Sequence, residues 1–303
     1  MAATSSGLLL IDKPPAHTSH DVVARTRRLA GTRKVGHAGT LDPMATGLLI
    51  LGIGSSTRLL TYVVGCDKEY SATIRLGQSS STDDAEGELS APAEPASIAA
   101  IDDGAITREI AALTGEIEQI PSTVSAIKVD GKRAYARARA GETVELKSRT
   151  VTISNFQLEG VHRSMGNIDI DVRVACSSGT YIRALARDIG SSLGVGGHLT
   201  HLRRARIGPF TVADASELDG LVVADSIIAP AHVARTLFPV AILDDERARA
   251  LGHGQRIDPR DLPLVDGPIA ALTEQDRLIG LVELRDGVVR SLVNFPDDEH
   301  GIR

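Results

Sequence analysis

Two stretches in which apolar and polar residues alternate constrain the fold of this chain more than any other feature of its sequence. In residues 70–76, YSATIRL, and in residues 168–176, IDIDVRVAC, every second side chain is apolar. This period of two is typical of a β-strand with one buried face. Residues 44–54, MATGLLILGIG, are almost continuously apolar and indicate a buried strand. The chain is therefore expected to be built on a β-sheet.

Helices are predicted between these strands. Residues 7–23 indicate a short buried strand, a Pro-Pro turn and then a helix with Ser19 as its N-cap. Residues 180–194 indicate a second helix, with Thr180 near its N-cap. Residues 77–97 are polar, acidic and contain proline, which is typical of a loop. Strands and helices that mix without regular βαβ spacing predict the α+β class.

The length and the charge distribution of the chain predict two domains. A chain of 303 residues is long enough for more than one core. Residues 239–303 contain 8 Lys/Arg and 13 Asp/Glu, a balance of −5, whereas residues 1–238 have a balance of −1. Within the acidic part, the Asp-Gly pair at 286–287 predicts a β-hairpin. We expect a boundary between Phe238 and Pro239 and a small β-rich domain after it.

Several classes of protein and of site are disfavoured by the sequence. No apolar run approaches the ~20 residues of a membrane span, and the N-terminal stretch lacks the features of a secretory signal. Cys66 and Cys176 lie far apart, which predicts no disulfide framework and no cysteine metal site and favours a cytoplasmic location. The motifs GxxxxGK[ST], HExxH, CxxC and GxSxG are absent from the sequence.

One carboxylate lies alone in a basic neighbourhood. Asp42 is the only acidic residue between Val22 and Cys66, a segment that contains six cations. Its immediate surroundings, GHAGTLDPMATG at 36–47, are otherwise made of small and apolar residues and one histidine. Asp42 is either an ordinary turn aspartate before Pro43 or a carboxylate placed for chemistry.

Two other residues are candidates for chemistry. Arg183 falls in the first turn of a predicted helix, where the helix dipole disfavours a cation. That conflict indicates a carboxylate partner elsewhere in the chain, the alternative being a solvated arginine. Tyr70 begins a strand on its apolar face, as a core residue or as a side chain that stacks on a base or donates its hydroxyl.

Three cationic blocks, at residues 25–34, 128–139 and 203–206, indicate a surface that binds a polyanion. The alternative is that they are solvated faces of the protein, since Lys and Arg are mostly exposed.

Six motifs occur in the order found in the TruB family, which this chain resembles along residues 7–215. They are GLLLIDKP, GHAGTLDPMATGLL, DKEYSATIRLG, QIPSTVSAIKVDGKRAYARAR, SSGTYIRALARDIG and HLTHLRRARIG. TruB proteins are the bacterial synthases that form pseudouridine at position 55 in the T-loop of tRNA. The resemblance implies a pseudouridine-synthase fold, with a mixed, mainly antiparallel sheet flanked by helices, at 1–238. Residues 239–303 look like the PUA-like C-terminal domain of actinobacterial relatives.

The resemblance also implies roles for single residues. Asp42 matches the catalytic carboxylate, Arg183 the arginine that keeps it ionised against the effect of burial, and Tyr70 the residue that stacks on the target base and handles a proton. His37 matches a residue that wedges into the T-loop, and Leu202 one that packs near the flipped uracil. The other expected RNA-binding residues are Gly39, Thr40, Tyr181, Lys128, Lys132 and Arg133.

The early turn departs from the family pattern. Ala16, His17 and Thr18 stand where members often have Gly and Ser-Ser, so no catalytic role is assigned to them. Lys13 and Pro14 resemble residues that buttress the loop, and we expect both to be structural.

The reaction implied by the resemblance breaks the N1–C1′ bond of a flipped uridine and bonds C5 to C1′, without a cofactor or metal. Asp42 adds to the ring, attacks C1′ or removes a sugar proton, and the sequence leaves these three routes open. Residues 121–150 resemble an RNA-binding thumb insertion, and residues 126–149 contain 7 cations and 3 anions. We expect a monomer that binds the tRNA T-stem-loop and needs no membrane or protein partner. The alternatives are a non-catalytic tRNA-binding or RNA-folding protein and a guide-dependent synthase acting on other RNA.

Overall fold

The computed structural model describes residues 5–122, 128–129, 132–133 and 146–295. The strands are β1 (Gly7–Lys13), β2 (Val35–His37), β3 (Thr46–Ile53), β4 (Lys68–Leu76), β5 (Gly115–Gln119), β6 (Lys128–Val129), β7 (Lys132–Arg133), β8 (Arg149–Ser164), β9 (Asn167–Cys176), β10 (Gly197–Ile207), β11 (Phe210–Thr211), β12 (Ser216–Glu217), β13 (Val240–Leu243), β14 (Ile269–Thr273), β15 (Leu278–Arg285) and β16 (Val288–Asn294). The α-helices are α1 (Ser19–Leu29), α2 (Leu60–Val64), α3 (Pro95–Ala99), α4 (Asp103–Ala112), α5 (Ile182–Ser192), α6 (Val223–Ser226), α7 (Pro230–Leu237) and α8 (Asp245–Gly252). No helix in these ranges has both the length and the apolar character needed to cross a membrane.

The main element of the fold is a ten-stranded sheet. Its strands lie in the order β12-β1-β3-β10-β4-β9-β8-β5, with β2 paired to β3 and β11 paired to β10. The pairings of β1 with β12 and of β3 with β10 are parallel, and the others in this sheet are antiparallel. A second sheet has the order β13-β14-β15-β16. The prediction of an α+β fold with a mixed, mainly antiparallel sheet and a β-rich C-terminal part is confirmed.

The sequence pattern of each strand follows from what covers its faces. Strands β4 and β9 alternate because only one of their faces packs into the largest core, against α5 and α4. Strand β3 is buried on both faces: Leu49 and Leu51 lie in that core, and Leu48 and Ile50 lie in a second one. The second core is completed by α7 and by strands β14 and β15. This explains the continuous apolar run that the sequence shows at β3.

The prediction of Ser19 as the N-cap of α1 was wrong by one residue. Thr18 is the N-cap, because its hydroxyl accepts from the Asp21 amide at 3.1 Å while the Asp21 carboxylate accepts from the Thr18 amide at 2.8 Å. This reciprocal pair is a capping box. Ser19 is the first helical residue, and its buried hydroxyl exchanges hydrogen bonds with the backbone of Leu41 at 2.9 and 3.1 Å.

The helix predicted at 180–194 begins two residues later than its first expected position. Thr180 lies next to the N-cap of α5, as expected; the N-cap itself is Tyr181, which has no side-chain capping bond. Its amide donates instead to the Gln119 side chain at 2.8 Å, and its carbonyl accepts from the same side chain at 3.0 Å. The predicted loop at 77–97 is also shorter than expected, because Pro95 starts α3.

The predicted Asp-Gly hairpin is confirmed in the C-terminal sheet. Asp286 and Gly287 join β15 to β16 with φ angles of 54° and 74°. A two-residue hairpin with positive φ at both positions matches the right-handed twist of its strands, and Asp-Gly tolerates it best.

Ala16 adopts a left-handed backbone conformation in the turn after β1. Its φ angle is 60°, and its amide donates to the Pro43 carbonyl at 3.0 Å, which ties this turn to the loop that carries Asp42. A residue with a Cβ is strained by about 1–2 kcal/mol in this region. The structure therefore gives a physical reason to expect glycine to be favoured at this position.

We expect Ala16→Gly to stabilise the protein by roughly 0.5–1 kcal/mol, because the relieved strain exceeds the entropy that glycine adds to the unfolded chain. Urea unfolding at neutral pH measures this change. The same substitution at exposed Ala100, whose φ of −76° is ordinary, should destabilise by about 0.5–1 kcal/mol. Equal effects of the two substitutions would contradict the assignment of strain to Ala16.

Candidate active site

Asp42 lies in the loop that joins β2 to β3. The loop ends where β3 enters the sheet between β1 and β10. A third of the Asp42 side chain remains exposed. The loop is tied to α1 by Ser19, through the hydrogen bonds to Leu41 described above. The carboxylate is thus carried by a loop whose backbone is anchored to α1.

Arg183 pairs with Asp42, as the conflict with the helix dipole predicted. The Nε atom of Arg183 lies 3.0 Å from Oδ2 of Asp42, and an Nη atom donates to Oδ1 at 3.3 Å. Only 4% of the Arg183 side chain is exposed. A two-point contact of this kind fixes the direction of a carboxylate as well as its position.

Arg183 also binds the loop between β4 and α3, at a residue that sequence reasoning missed. It donates to the Thr82 carbonyl at 2.8 Å and lies 3.4 Å from the buried Asp84 carboxylate. Asp84 is held in turn by the Thr82 hydroxyl at 2.5 Å. Within the described residues no group of three or more His, Cys, Asp or Glu is arranged to hold a metal. The sequence signal for Asp84 was weak, since it is one of several acids in an apparent surface loop.

Burial raises the pKa of the Asp42 carboxyl above its ordinary value, and the nearby Asp84 carboxylate raises it further. The Arg183 and Lys13 cations oppose this rise. The arginine therefore limits the effect of burial on Asp42 without cancelling it.

Lys13 contacts the backbone of the Asp42 loop, in the structural role that was expected. Its fully buried ammonium donates to the carbonyls of Pro14, His17 and Pro43 at 3.0, 2.7 and 3.2 Å. Burial lowers the pKa of Lys13 from 10.5 to about 8, against the attraction of Asp42. Lys13 thus holds together the turn after β1 and the residue that follows Asp42.

Tyr70 lies on β4 and Leu202 on β10. Tyr70 is 7% exposed and Leu202 is 5% exposed, and both face the largest core. Leu202 pairs with Ala72 across β10 and β4, so the two candidate residues lie on neighbouring strands. Burial raises the pKa of the Tyr70 hydroxyl, and the Arg204 guanidinium opposes that rise.

The remaining described candidates lie in or next to the segments that carry Asp42 and Arg183. His37 ends β2, and its ring meets that of His20 edge to face at 5.7 Å. Gly39 has a φ of 93° in the loop, and the exposed Thr40 follows it. The Arg149 guanidinium lies 4.7 Å from the ring centre of Tyr181.

The thumb-like block is described only in part. Lys128 pairs with Arg133 and Val129 with Lys132 in the backbone ladder of β6 and β7. The other positions of the predicted basic insertion between residues 123 and 145 lie outside the described residues, as do the side chains of Lys128, Lys132 and Arg133.

Three family models match the chain in succession. TruB family pseudouridylate synthase (N terminal domain) matches residues 27–182. The chain belongs to the TruB family. The tRNA pseudouridylate synthase B C-terminal domain matches residues 183–240, and tRNA Pseudouridine synthase II, C terminal, matches residues 238–296.

Similar curated proteins of the TruB family come from actinobacteria. The tRNA pseudouridine synthase B of Leifsonia xyli subsp. xyli is 58% identical over 300 residues, which cover 99% of both chains. That of Thermobifida fusca is 52% identical over 297 residues, covering 96% of this chain and 99% of the relative.

Solved structures with the same fold include two complexes. The chain matches one described as a Cbf5-Nop10-Gar1 complex with a TM-score of 0.70 and 26% identity, covering 96% of this chain and 86% of that one. It matches an H/ACA RNP bound to a substrate RNA containing 2'-deoxyuridine with the same TM-score and coverage and 24% identity. These matches support the fold.

The lowered pKa of Lys13 predicts a dependence of stability on pH. Between pH 8 and 10.5 the unfolded chain binds more protons at Lys13 than the folded one, so the free energy of unfolding rises with pH. Above pH 8, the free energy of unfolding of the wild type should increase by up to about 1.4 kcal/mol per pH unit relative to that of Lys13→Met. Urea unfolding at pH 7.5, 8.5 and 9.5 measures the difference, with exposed Lys34→Met as the control. If the wild type becomes less stable relative to Lys13→Met as the pH rises, the prediction is contradicted.

Proposed function

We propose that this chain isomerises uridine to pseudouridine at position 55 in the T-loop of tRNA, with Asp42 as the catalytic carboxylate. The observation that carries the assignment of the site is the pairing of Asp42 with buried Arg183. It is supported by membership of the TruB family and by the tRNA pseudouridine synthase B relatives, which match almost the full length of the chain.

The reaction needs a carboxylate in a site closed to water. The N1–C1′ bond breaks, the uracil turns, and C5 bonds to C1′; C5 loses a hydrogen and N1 gains one, so the composition is unchanged. Asp42 acts in its ionised form on the nucleoside. Arg183 keeps it ionised when bound RNA excludes water, because loss of solvent would otherwise raise the carboxyl pKa further.

Tyr70 and Leu202 provide the surface that receives the flipped uracil. Tyr70 stacks on the base. Late in the reaction its phenol gives its proton to N1 and the resulting phenolate takes the C5 proton, so that the side chain ends neutral. Leu202 packs against the base from the neighbouring strand, and the small residues around Asp42 leave room for the nucleotide.

RNA recognition is assigned to residues around this pocket. His37 wedges into the T-loop beside His20, and Tyr181 contacts the RNA next to Arg149. Gly39 and Thr40 shape the loop backbone at the edge of the pocket. The basic side chains on β6 and β7 follow the phosphate backbone, which predicts salt-sensitive binding. These side chains belong to Lys128, Lys132 and Arg133.

The arrangement of the whole chain is proposed from the same observations. Residues 1–238 form the catalytic domain, including the thumb insertion at 121–150, and residues 239–303 form a PUA-like domain. The third family model, at 238–296, supports that boundary. The protein acts as a cytoplasmic monomer on tRNA without a cofactor or partner protein.

Substitution of Asp42 by Asn tests the catalytic assignment. The wild type, incubated with an unmodified tRNA transcript without added metal or nucleotide, should form pseudouridine at position 55. Asp42→Asn should form none, because the amide has no charge to act on the nucleoside, and should bind RNA within about tenfold of the wild type. Single-nucleotide mapping of pseudouridine and a filter-binding titration measure the two effects.

The control for this substitution is Asp169→Asn, which makes the same chemical change at a carboxylate paired with Arg75 on a strand distant from Asp42. It should keep the wild-type rate. An active Asp42→Asn protein would refute the catalytic assignment. If the wild type forms pseudouridine at another position of the RNA, the proposed reaction stands and the proposed substrate position is wrong.

Removal of the Arg183 charge should shift the pH profile of the reaction. Because Arg183 lowers the pKa of Asp42, Arg183→Met raises that pKa and leaves less ionised carboxylate at low pH. The acidic limb of the single-turnover rate should therefore move to higher pH, and less so in Arg183→Lys, which keeps the charge. Arg187→Met, one turn along α5, should leave the limb in place. If the acidic limb of the pH–rate profile of Arg183→Met coincides with that of the wild type, Arg183 does not control the ionisation of Asp42.

A further inference from the structure

Arg204 is a buried cation whose hydrogen bonds converge on the loop that carries Asp42. It lies on β10 with 1% of its side chain exposed. Burial of a guanidinium is strongly unfavourable unless its donors are engaged. Its Nε atom donates to the Leu48 carbonyl at 2.7 Å, and its Nη atoms donate to the carbonyls of Thr40 and Gly39 at 3.4 and 3.1 Å.

These acceptors lie on both sides of Asp42 in the chain. Gly39 and Thr40 precede it in the loop, and Leu48 follows it in β3. The Arg204 side chain therefore links the segment before Asp42 to the segment after it. The approach of β3 to β10 depends on Gly47, where an added Cβ would lie 2.3 Å from the Arg204 carbonyl oxygen.

Arg204 also faces Tyr70. The two residues are direct partners across β10 and β4. Side chains at directly opposite positions lie on the same face of a sheet, with Cβ atoms about 4.5–5.5 Å apart. The charge of Arg204 acts on the buried phenol, since it opposes the rise that burial causes in the pKa of Tyr70.

We propose that Arg204 is a positioning residue of the reaction, which fixes the Asp42 loop relative to Tyr70 and places a positive charge beside the Tyr70 phenolate that takes the C5 proton. The inference rests on the proposed function, because it takes Asp42 and Tyr70 as the catalytic pair. Arg204 acts through these two residues: the loop delivers the carboxylate, and the charge favours the phenol that has lost its proton.

The test compares Arg204→Met and Arg204→Lys with the wild type in single turnover on a T-stem-loop RNA. The target uridine carries hydrogen or deuterium at C5. Arg204→Met should slow the reaction by about 100-fold or more, the loss typical of removing a preorganised donor, with the RNA Kd within about threefold of the wild type. Its C5 deuterium isotope effect should exceed that of the wild type, because loss of the C5 hydrogen becomes the slow step.

Arg204→Lys returns the charge without the planar fork that reaches several carbonyls at once. It should recover about tenfold of the lost rate and bring the isotope effect back toward the wild-type value. Arg75→Met is the control on the neighbouring strand β4, since Arg75 is a partly exposed arginine that lies 2.7 Å from Asp169. It should leave the rate and the isotope effect unchanged.

A folded Arg204→Met protein with the wild-type rate would overturn the inference. A slower reaction with an unchanged isotope effect, or with an equal loss of RNA affinity, would overturn it as well, because general loosening of the fold produces those results. If Arg204→Met does not fold, Arg204→Lys decides alone, and a wild-type rate in that variant refutes the role. Absence of product with the wild type would refute the proposed function itself, and this inference with it.

Discussion

The contact between buried Arg183 and its partners from two other segments is the interaction on which the site depends. Asp42 lies 141 residues before Arg183 in the chain, and Thr82 lies 101 residues before it. A buried cation is tolerated only when its donors are engaged, and loss of one charged partner leaves an uncompensated charge. The Asp42 loop, the Asp84 loop and α5 must therefore be placed together. The pairing that orients the carboxylate also ties these three segments of the fold to each other.

Arg183 is shared between two acids, and this sharing sets the electrostatics of the centre. Asp84 is almost fully buried and also pairs with Arg183. The positive charge of Arg183 therefore neutralises the Asp42 carboxylate less completely than it would in an isolated ion pair. The raised pKa of Asp42 follows mainly from burial, and the nearby Asp84 carboxylate adds to it. A less stabilised carboxylate is a stronger base and nucleophile than one held in a saturated ion pair, at the expense of stability in the free protein.

Local pattern predicted the strands and the Asp-Gly hairpin because their causes are local, namely the faces of a strand and the geometry of a turn. The pairing of Arg183 was also predicted, since its position conflicts with the helix dipole. Asp84 was missed because its burial depends on a distant arginine. Within residues 203–206, RRAR, neighbouring arginines point to opposite faces of strand β10. Arg203 pairs with Asp12, whereas Arg204 points inward with Leu202. Continuing the period of two from Leu202 indicates Arg204 and Arg206 equally. Only the structure separates them, because the register shifts between these two residues and Arg206 is partly exposed.

The composition of the Asp42 loop explains why so many buried cations surround it. In the proposed reaction the small residues leave space for a flipped nucleotide, but they provide few side chains that could stabilise the loop from within. Its backbone is held from outside instead: Arg204 binds the carbonyls of residues 39 and 40, Ser19 binds residue 41, and Lys13 binds the carbonyl of residue 43. Arg183 then fixes the remaining group, the carboxylate. A loop that is open to substrate can stay rigid only if neighbouring elements supply its contacts, and cations from the sheet do so without filling the pocket.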